Sequence, residues 1–92
     1  MLYVTKSLTD GFKNYLISAE KSENTVEKYM RDLKRFAAFL KGGAASKENG
    51  LAYKKALCEG YAPASVNSML SSVNAFFDFA GRGDLKVKTL KI

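Results

Sequence analysis

Lys28, Arg31 and Arg35 recur at steps of three and four, which on a 3.6-residue helix sets three cations in one line beside Asn24 and Thr25 at the helix start. The chemistry of such a set is anion recognition. Free backbone N–H groups and the dipole at a helix N-terminus attract a phosphate, and a basic line can then follow a polyanion backbone. Glu27 and Asp32 are interspersed with the cations, so this helix alone reads equally well as a solvated face. Forty residues on stands a different polar surface, made of Ser65, Asn67, Ser68, Ser71, Ser72 and Asn74. Serine is an indifferent helix former, and a face almost free of charge is a poor one for water alone. Small hydroxyl and amide groups let a backbone come close to something, either DNA phosphates and bases or another helix. At the end of the chain Lys86, Lys88 and Lys91 alternate with apolar residues, as in a basic arm lying along a backbone or a solubilised tail.

Reaction chemistry finds little to work with. The chain has no histidine, which removes the usual general base and the commonest metal ligand together. One cysteine cannot build a zinc site of the ordinary kind. Glu23, Glu27 and Asp32 lie among lysines and read as charge pairs on a solvated helix face. Gly42-Gly43 lacks the spacing of a phosphate loop and reads as a helix stop. The expectation is therefore a binding unit with no catalytic residue, no cofactor and no metal.

Apolar ladders show what must position these faces. Val26, Tyr29, Met30, Leu33, Phe36, Ala37 and Leu40 form one stripe, and Val66, Met69, Leu70, Val73, Phe76, Phe77 and Ala80 form another. The spacing predicts four helices. The first covers Ser7–Lys21, with Leu8, Phe12, Tyr15, Leu16 and Ala19 inward and Asp10 in its first turn. The second opens at Ser22 or Asn24, with Glu27 placed for a capping box, and runs to Lys41 before Gly42-Gly43. A third is expected from Ser46 to Glu59, with Leu51, Ala52, Tyr53, Ala56 and Leu57 inward and Gly60 as its stop. The fourth starts at Pro63 and ends at Gly81, a turn or short helix follows at Arg82–Leu85, and residues 86–92 are an edge strand or extended linker. Phe39 and Phe79 lie off the main stripes and widen the core face or dock a partner.

With 92 residues, of which 11 are Tyr or Phe, the chain can build one small core without disulfides, and Cys58 is expected as a small buried hydrophobe in it. A formal net charge of +6 favours a polyanionic partner, though solubility alone can call for as much. No secretory region opens the chain and no apolar run approaches bilayer length, so no membrane contact and a cytoplasmic location are expected.

Two stretches carry a resemblance. Ser22 to Phe36 resembles the S-x-N-T-x-x-x-Y-x-x-D-L-x-x-F opening of the N-terminal core-binding domain of tyrosine recombinases, the phage integrase family. Tyr61 to Phe77 resembles the family's S-P-A-T-I-N-x-x-L-S-A-L-x-x-F-F helix, and Val87 to Ile92 its linker. The resemblance implies an all-α, SAM-like bundle of four to five short helices over residues 1–85, with 86–92 as a basic linker toward a catalytic domain. It further implies a domain that clamps double-stranded DNA at the recombination core site, together with the catalytic domain of the same parent chain and other recombinase protomers. Carried over by position, the DNA-facing residues are Asn24, Thr25, Lys28 and Arg31 on the second helix and Ala64, Ser65, Ser68 and Ser72 on the fourth, with Lys86 and Lys88 as linker contacts. Arg35 joins them from the basic line itself. Ser68 stands where many relatives place Arg or Lys, which implies modest affinity. None of the five tyrosines is expected as the family's nucleophile, which belongs to the catalytic domain. The alternative reading is a helical protein-interaction module whose basic surface serves solubility.

Overall fold

Thr5, Ser22 and Ser46 each precede a helix in extended backbone, and each side-chain oxygen accepts from the N–H three residues ahead, on Leu8, Thr25 and Asn49. Pro63 opens the remaining helix at a position where a missing N–H costs nothing. In the computed structural model, which describes residues 1–91, these starts generate α1 (Lys6–Ser18), α2 (Glu23–Leu40), α3 (Lys47–Gly60) and α4 (Pro63–Phe79). A 3-10 turn at Gly83–Leu85 follows α4. Ile92, the last residue of the expected linker, lies outside the described residues.

The boundaries differ from expectation in informative ways. Thr5 caps α1 earlier than expected, so Asp10 falls in the second turn and pairs with Lys6 at 2.9 Å. Ser22, not Asn24, caps α2; the third helical position is then Thr25, whose Oγ1 accepts from the Ser22 hydroxyl at 2.9 Å, and no capping box through Glu27 forms. Lys41 and Gly42 take the left-handed conformation, φ +50° and +82°, that ends α2. Gly60 remains helical, and α3 stops instead where Tyr61 turns to extended backbone ahead of Pro63.

Helix α4 is the hub. Val66, Met69, Leu70, Val73, Phe76 and Phe77 are all buried, and α4 lies against α2, α3 and the 3-10 turn. Consecutive phenylalanines divide the work. Phe76 meets Phe12 of α1 edge to face at 5.5 Å between centroids, and Phe77 meets Phe36 of α2 at 5.9 Å. Phe36 in turn lies 5.0 Å from Tyr53 of α3, so one aromatic chain joins three helices. Phe79 extends the cluster toward Phe12 and Tyr15, whereas Phe39 keeps a partly exposed ring against Tyr53. The expected inner face of α3 needs correction. Its buried residues are Gly50, Tyr53 and Leu57, while Leu51, Ala52 and Ala56 face out. Cys58 is exposed, contrary to the expectation of a buried thiol. In α1 only Phe12 and Leu16 are fully buried, and Tyr15 and Ala19 are exposed.

Among the described residues the only β-type pairing is a bridge between Leu2 and Ala45, which ties the N-terminal segment to the α2–α3 connection. Residues 86–91 are not an edge strand. They run extended across α3 and α4 with Val87 buried, and the methyl Cγ2 of Val87 lies 3.5 Å from where a Cβ on Gly50 would stand.

The Tyr53 hydroxyl is buried with no hydrogen-bond partner. Burial pushes its phenol up to about 12, against the opposing pull of Arg35 and with smaller upward contributions from Asp32 and Tyr61. The folded chain therefore keeps this proton above pH 10, where the unfolded chain releases it. Stability fully present below pH 10 is lost between pH 10 and 12, by about 2–3 kcal/mol from this group. Tyr53→Phe should abolish that share of the alkaline loss and, at neutral pH, leave stability unchanged or raised by up to about 1 kcal/mol, measured by urea unfolding of both proteins across the pH range. Phe77→Ala should cost about 3–5 kcal/mol in the same assay, because it empties the joint between α4 and α2.

Candidate nucleic-acid interface

The seam between α2 and α4 is closed by a charge. Asp32 is only 3 % exposed, and its Oδ2 accepts from Lys28 Nζ at 2.9 Å and from the Ser72 hydroxyl at 2.7 Å. Lys28 Nζ also donates to Ser72 Oγ and to the Ser68 carbonyl, both at 2.9 Å. A buried carboxylate is tolerable only with partners of this kind. Two expectations are corrected here. Asp32 is an internal tie instead of a member of the solvated face, and Ser72 is fully buried, so it presents no surface to a ligand. Lys28 has all three N–H donors engaged inside the fold, which makes it the wall of the groove more than a free cation.

Above this seam opens a shallow groove of about 210 Å³, lined by Lys28, Arg31, Arg35, Tyr61, Ser65 and Ser68, with Asp32 and Met69 at its base. Arg31 and Arg35 are exposed, one helical turn apart. The Arg35 guanidinium lies 5.9 Å from the Tyr61 ring centroid, over its face, and 4.0 Å from the Met69 sulfur, which fixes its direction without consuming its charge. Neither arginine pairs with a carboxylate among the described residues. The charged side of α2 and the serine side of α4 thus line one cleft.

Not every expected residue joins it. Lys28 meets Ser68 and Ser72, and Arg35 meets Met69 of α4 and Tyr61 just ahead of it. Asn24 and half-buried Thr25, at the start of α2, and exposed Ala64, at the start of α4, do not line the groove. Lys86 and Lys88 belong to another flank of α4, on the segment that crosses α3. Asn67 and Asn74, expected on the outer face, are half-buried and bound to that segment. Tyr61 carries no signal for the site in the sequence, yet its position two residues before Pro63 brings it beside Arg35. The Lys28–Asp32 spacing of four was the available signal for the tie.

Among the described residues no group of three His, Cys, Asp or Glu could hold a metal ion, and no helix is long and apolar enough to cross a membrane. The model of the family described as phage integrase, N-terminal SAM-like domain, matches residues 9–83. The chain belongs to this family. No curated protein and no solved structure matches the chain. The match spans the helical bundle from within α1 to the 3-10 turn and includes both walls of the groove, while Lys86 and Lys88 lie beyond it. The integrase domain found here is the N-terminal, all-α one of the family and not its catalytic domain.

Asp32→Ala should destabilise this integrase domain by about 2–3 kcal/mol, below the cost usual for a fully buried pair because the Lys28 side chain keeps 32 % exposure. Ser72→Ala should cost about 1–2 kcal/mol, and the double variant less than the sum, since both remove the same bonds. Urea unfolding of the three variants measures it; additive losses would mean that the two residues act separately.

Proposed function

We propose that the α2–α4 groove holds the sugar–phosphate backbone of duplex DNA, and that the domain serves as one jaw of a tyrosine recombinase's clamp on its recombination core site. The observation that carries this reading is the placement of two carboxylate-free guanidinium groups, Arg31 and Arg35, beside the small hydroxyls of Ser65 and Ser68 in one open cleft. Guanidinium forks bind phosphate oxygens with two parallel bonds, and serine hydroxyls add short contacts that allow close approach. Family membership supplies the setting, a chain whose catalytic domain cuts and rejoins DNA while this part holds it. In this reading residues 86 onward lead toward that catalytic domain, other protomers assemble on the same DNA, no cofactor takes part, and the work is done in the cytoplasm. Lys28 acts by holding α4 against α2. Asn24, Thr25 and Ala64 serve as further contacts outside the groove. With Ser68 in place of a longer cation, α4 contributes proximity more than charge, and affinity rests on α2.

Arg31→Ala with Arg35→Ala should leave the unfolding midpoint nearly unchanged and weaken duplex binding. The slope of log affinity against log salt should fall by about 0.9 for each phosphate contact removed. Amide shifts in Arg31, Arg35, Ser65 and Ser68 on titration with a duplex should mark the same surface. Unchanged affinity and slope in the double variant would reject the groove as the DNA surface, and silence of all four amides at millimolar duplex would favour a partner helix on the serine face instead.

A further inference from the structure

Residues 86–90 are held by reading of their main chain. Asn74 Nδ2 donates to the Val87 carbonyl at 2.8 Å, and its Oδ1 accepts from the Val87 N–H at 3.0 Å. Asn67 repeats the arrangement on Leu90, donating to the carbonyl at 2.9 Å and accepting from the N–H at 2.6 Å. A carboxamide carries the same donor and acceptor as a peptide group, so each asparagine offers the segment the pair of bonds that a neighbouring strand would. The spacing fits as well. Seven residues of helix rise about 10.5 Å and three residues of extended chain span about 10 Å, so Asn67 and Asn74 on one flank of α4 match Leu90 and Val87.

Across the segment α3 supplies a second pair at the same interval of seven. Lys47 Nζ donates to the Lys86 carbonyl and Lys54 Nζ to the Lys88 carbonyl, the latter at 2.7 Å. Val87 is buried beneath, while the Lys86 and Lys88 side chains stay outside. Four lysines are thereby drawn to one strip, and among the described residues the one carboxylate paired with any of them is Asp78, 3.0 Å from Lys86. Glu48 and Glu59 on α3 lie about 100° or more around the helix from the Lys47–Lys54 line.

We propose that Asn67 and Asn74 clamp residues 86–90 as a strap, and that its docking assembles a second phosphodiester-binding surface from Lys47, Lys54, Lys86 and Lys88, separate from the α2–α4 groove. The ligand class rests on the duplex reading given above. Gathering four ammonium groups opposes docking, and a polyanion laid over them removes the opposition. Binding and docking must then reinforce each other, by the same factor in both directions.

The test compares the full chain with Asn67→Ala/Asn74→Ala, using a short mixed-sequence DNA duplex as probe, and with Lys47→Gln/Lys54→Gln as a second variant that leaves α4 intact. In the asparagine variant the helical circular dichroism should persist, while hydrogen-exchange protection of the Val87 and Leu90 amides falls about tenfold or more. Its duplex affinity should drop and its salt slope flatten by about 0.9 for each lost phosphate contact, as should that of the lysine variant. In the native chain, added duplex should raise protection at Val87 and Leu90. Undiminished protection in the asparagine variant overturns the clamp; lost protection with unchanged affinity and slope overturns the second surface. Should the asparagine variant fail to fold, an unaltered salt slope in the lysine variant still overturns that surface. A native chain that ignores the duplex altogether would overturn this coupling and the groove reading together, whereas strap protection would still decide the clamp on its own.

Discussion

A carboxylate sealed between two helices must be satisfied where it sits, and Asp32 is satisfied only if α2 and α4 meet in one register. Its single oxygen receives both the Lys28 ammonium and the Ser72 hydroxyl, and the ammonium reaches on to the Ser68 carbonyl. Sliding either helix by a turn would leave the charge without these partners, at a cost of several kcal/mol. Apolar stripes of similar width tolerate such slips far better, because one leucine resembles the next. The polar tie therefore selects the register, and the register decides which cations share a cleft with the serines. Arg31 and Arg35 face that cleft because Lys28, one turn earlier, is already committed to closing it.

The helices and their order are legible in the chain because they rest on local signals, whereas the hub position of α4 rests on contacts between helices that no local signal carries. Ser22 and Ser46 cap, Pro63 starts, Gly42 and Gly81 accept positive φ, and the two long ladders bury or half-bury the residues their spacing selects. The family motif was carried by the same stretches. Residues on the edges of the stripes were harder. Ser72 lies beside Val73 and Phe76 within the width of a buried face, and only the arrival of Asp32 from forty residues away makes an inward serine favourable. Asp32 and Lys28 at a spacing of four look identical in sequence whether the pair is wet or dry.

Helix α3 shows the same limit from the other side. Periodicity points its most apolar positions inward, yet Leu51 is left 48 % exposed while Gly50 is buried. The physical reason is the strap. Val87 crosses at Gly50 and covers it with its Cγ2 methyl, while Lys47 and Lys54 reach the carbonyls of Lys86 and Lys88. No periodicity within α3 could reveal a neighbour supplied by residues 86–90. Asn67 and Asn74 carried a hint in their interval of seven, but two amides on one flank of a helix suit open water equally well.

A formal charge of +6 over 92 residues overstates the charge free to meet a partner. Lys28 is neutralised by Asp32, Lys86 by Asp78, Arg82 by Asp84 and Lys6 by Asp10, and Lys47 and Lys54 spend donors on carbonyls. Cations that donate to carbonyls keep their full charge and lose only their freedom, whereas those facing a carboxylate form dipoles whose field largely cancels beyond the separation of the pair. The distinction sorts the surface. Arg31 and Arg35 keep both charge and reach, Lys47 and Lys54 keep charge at fixed positions, and Lys28 keeps neither. A polyanion near this domain meets two fields on different flanks of α4, one borne by guanidinium groups without carboxylate partners and one by lysines held in place around a strap. Between them the exposed ridge of α4, Ala64 and Ser71, carries no charge and no long side chain, so a rigid partner that touches both flanks can approach the helix backbone itself.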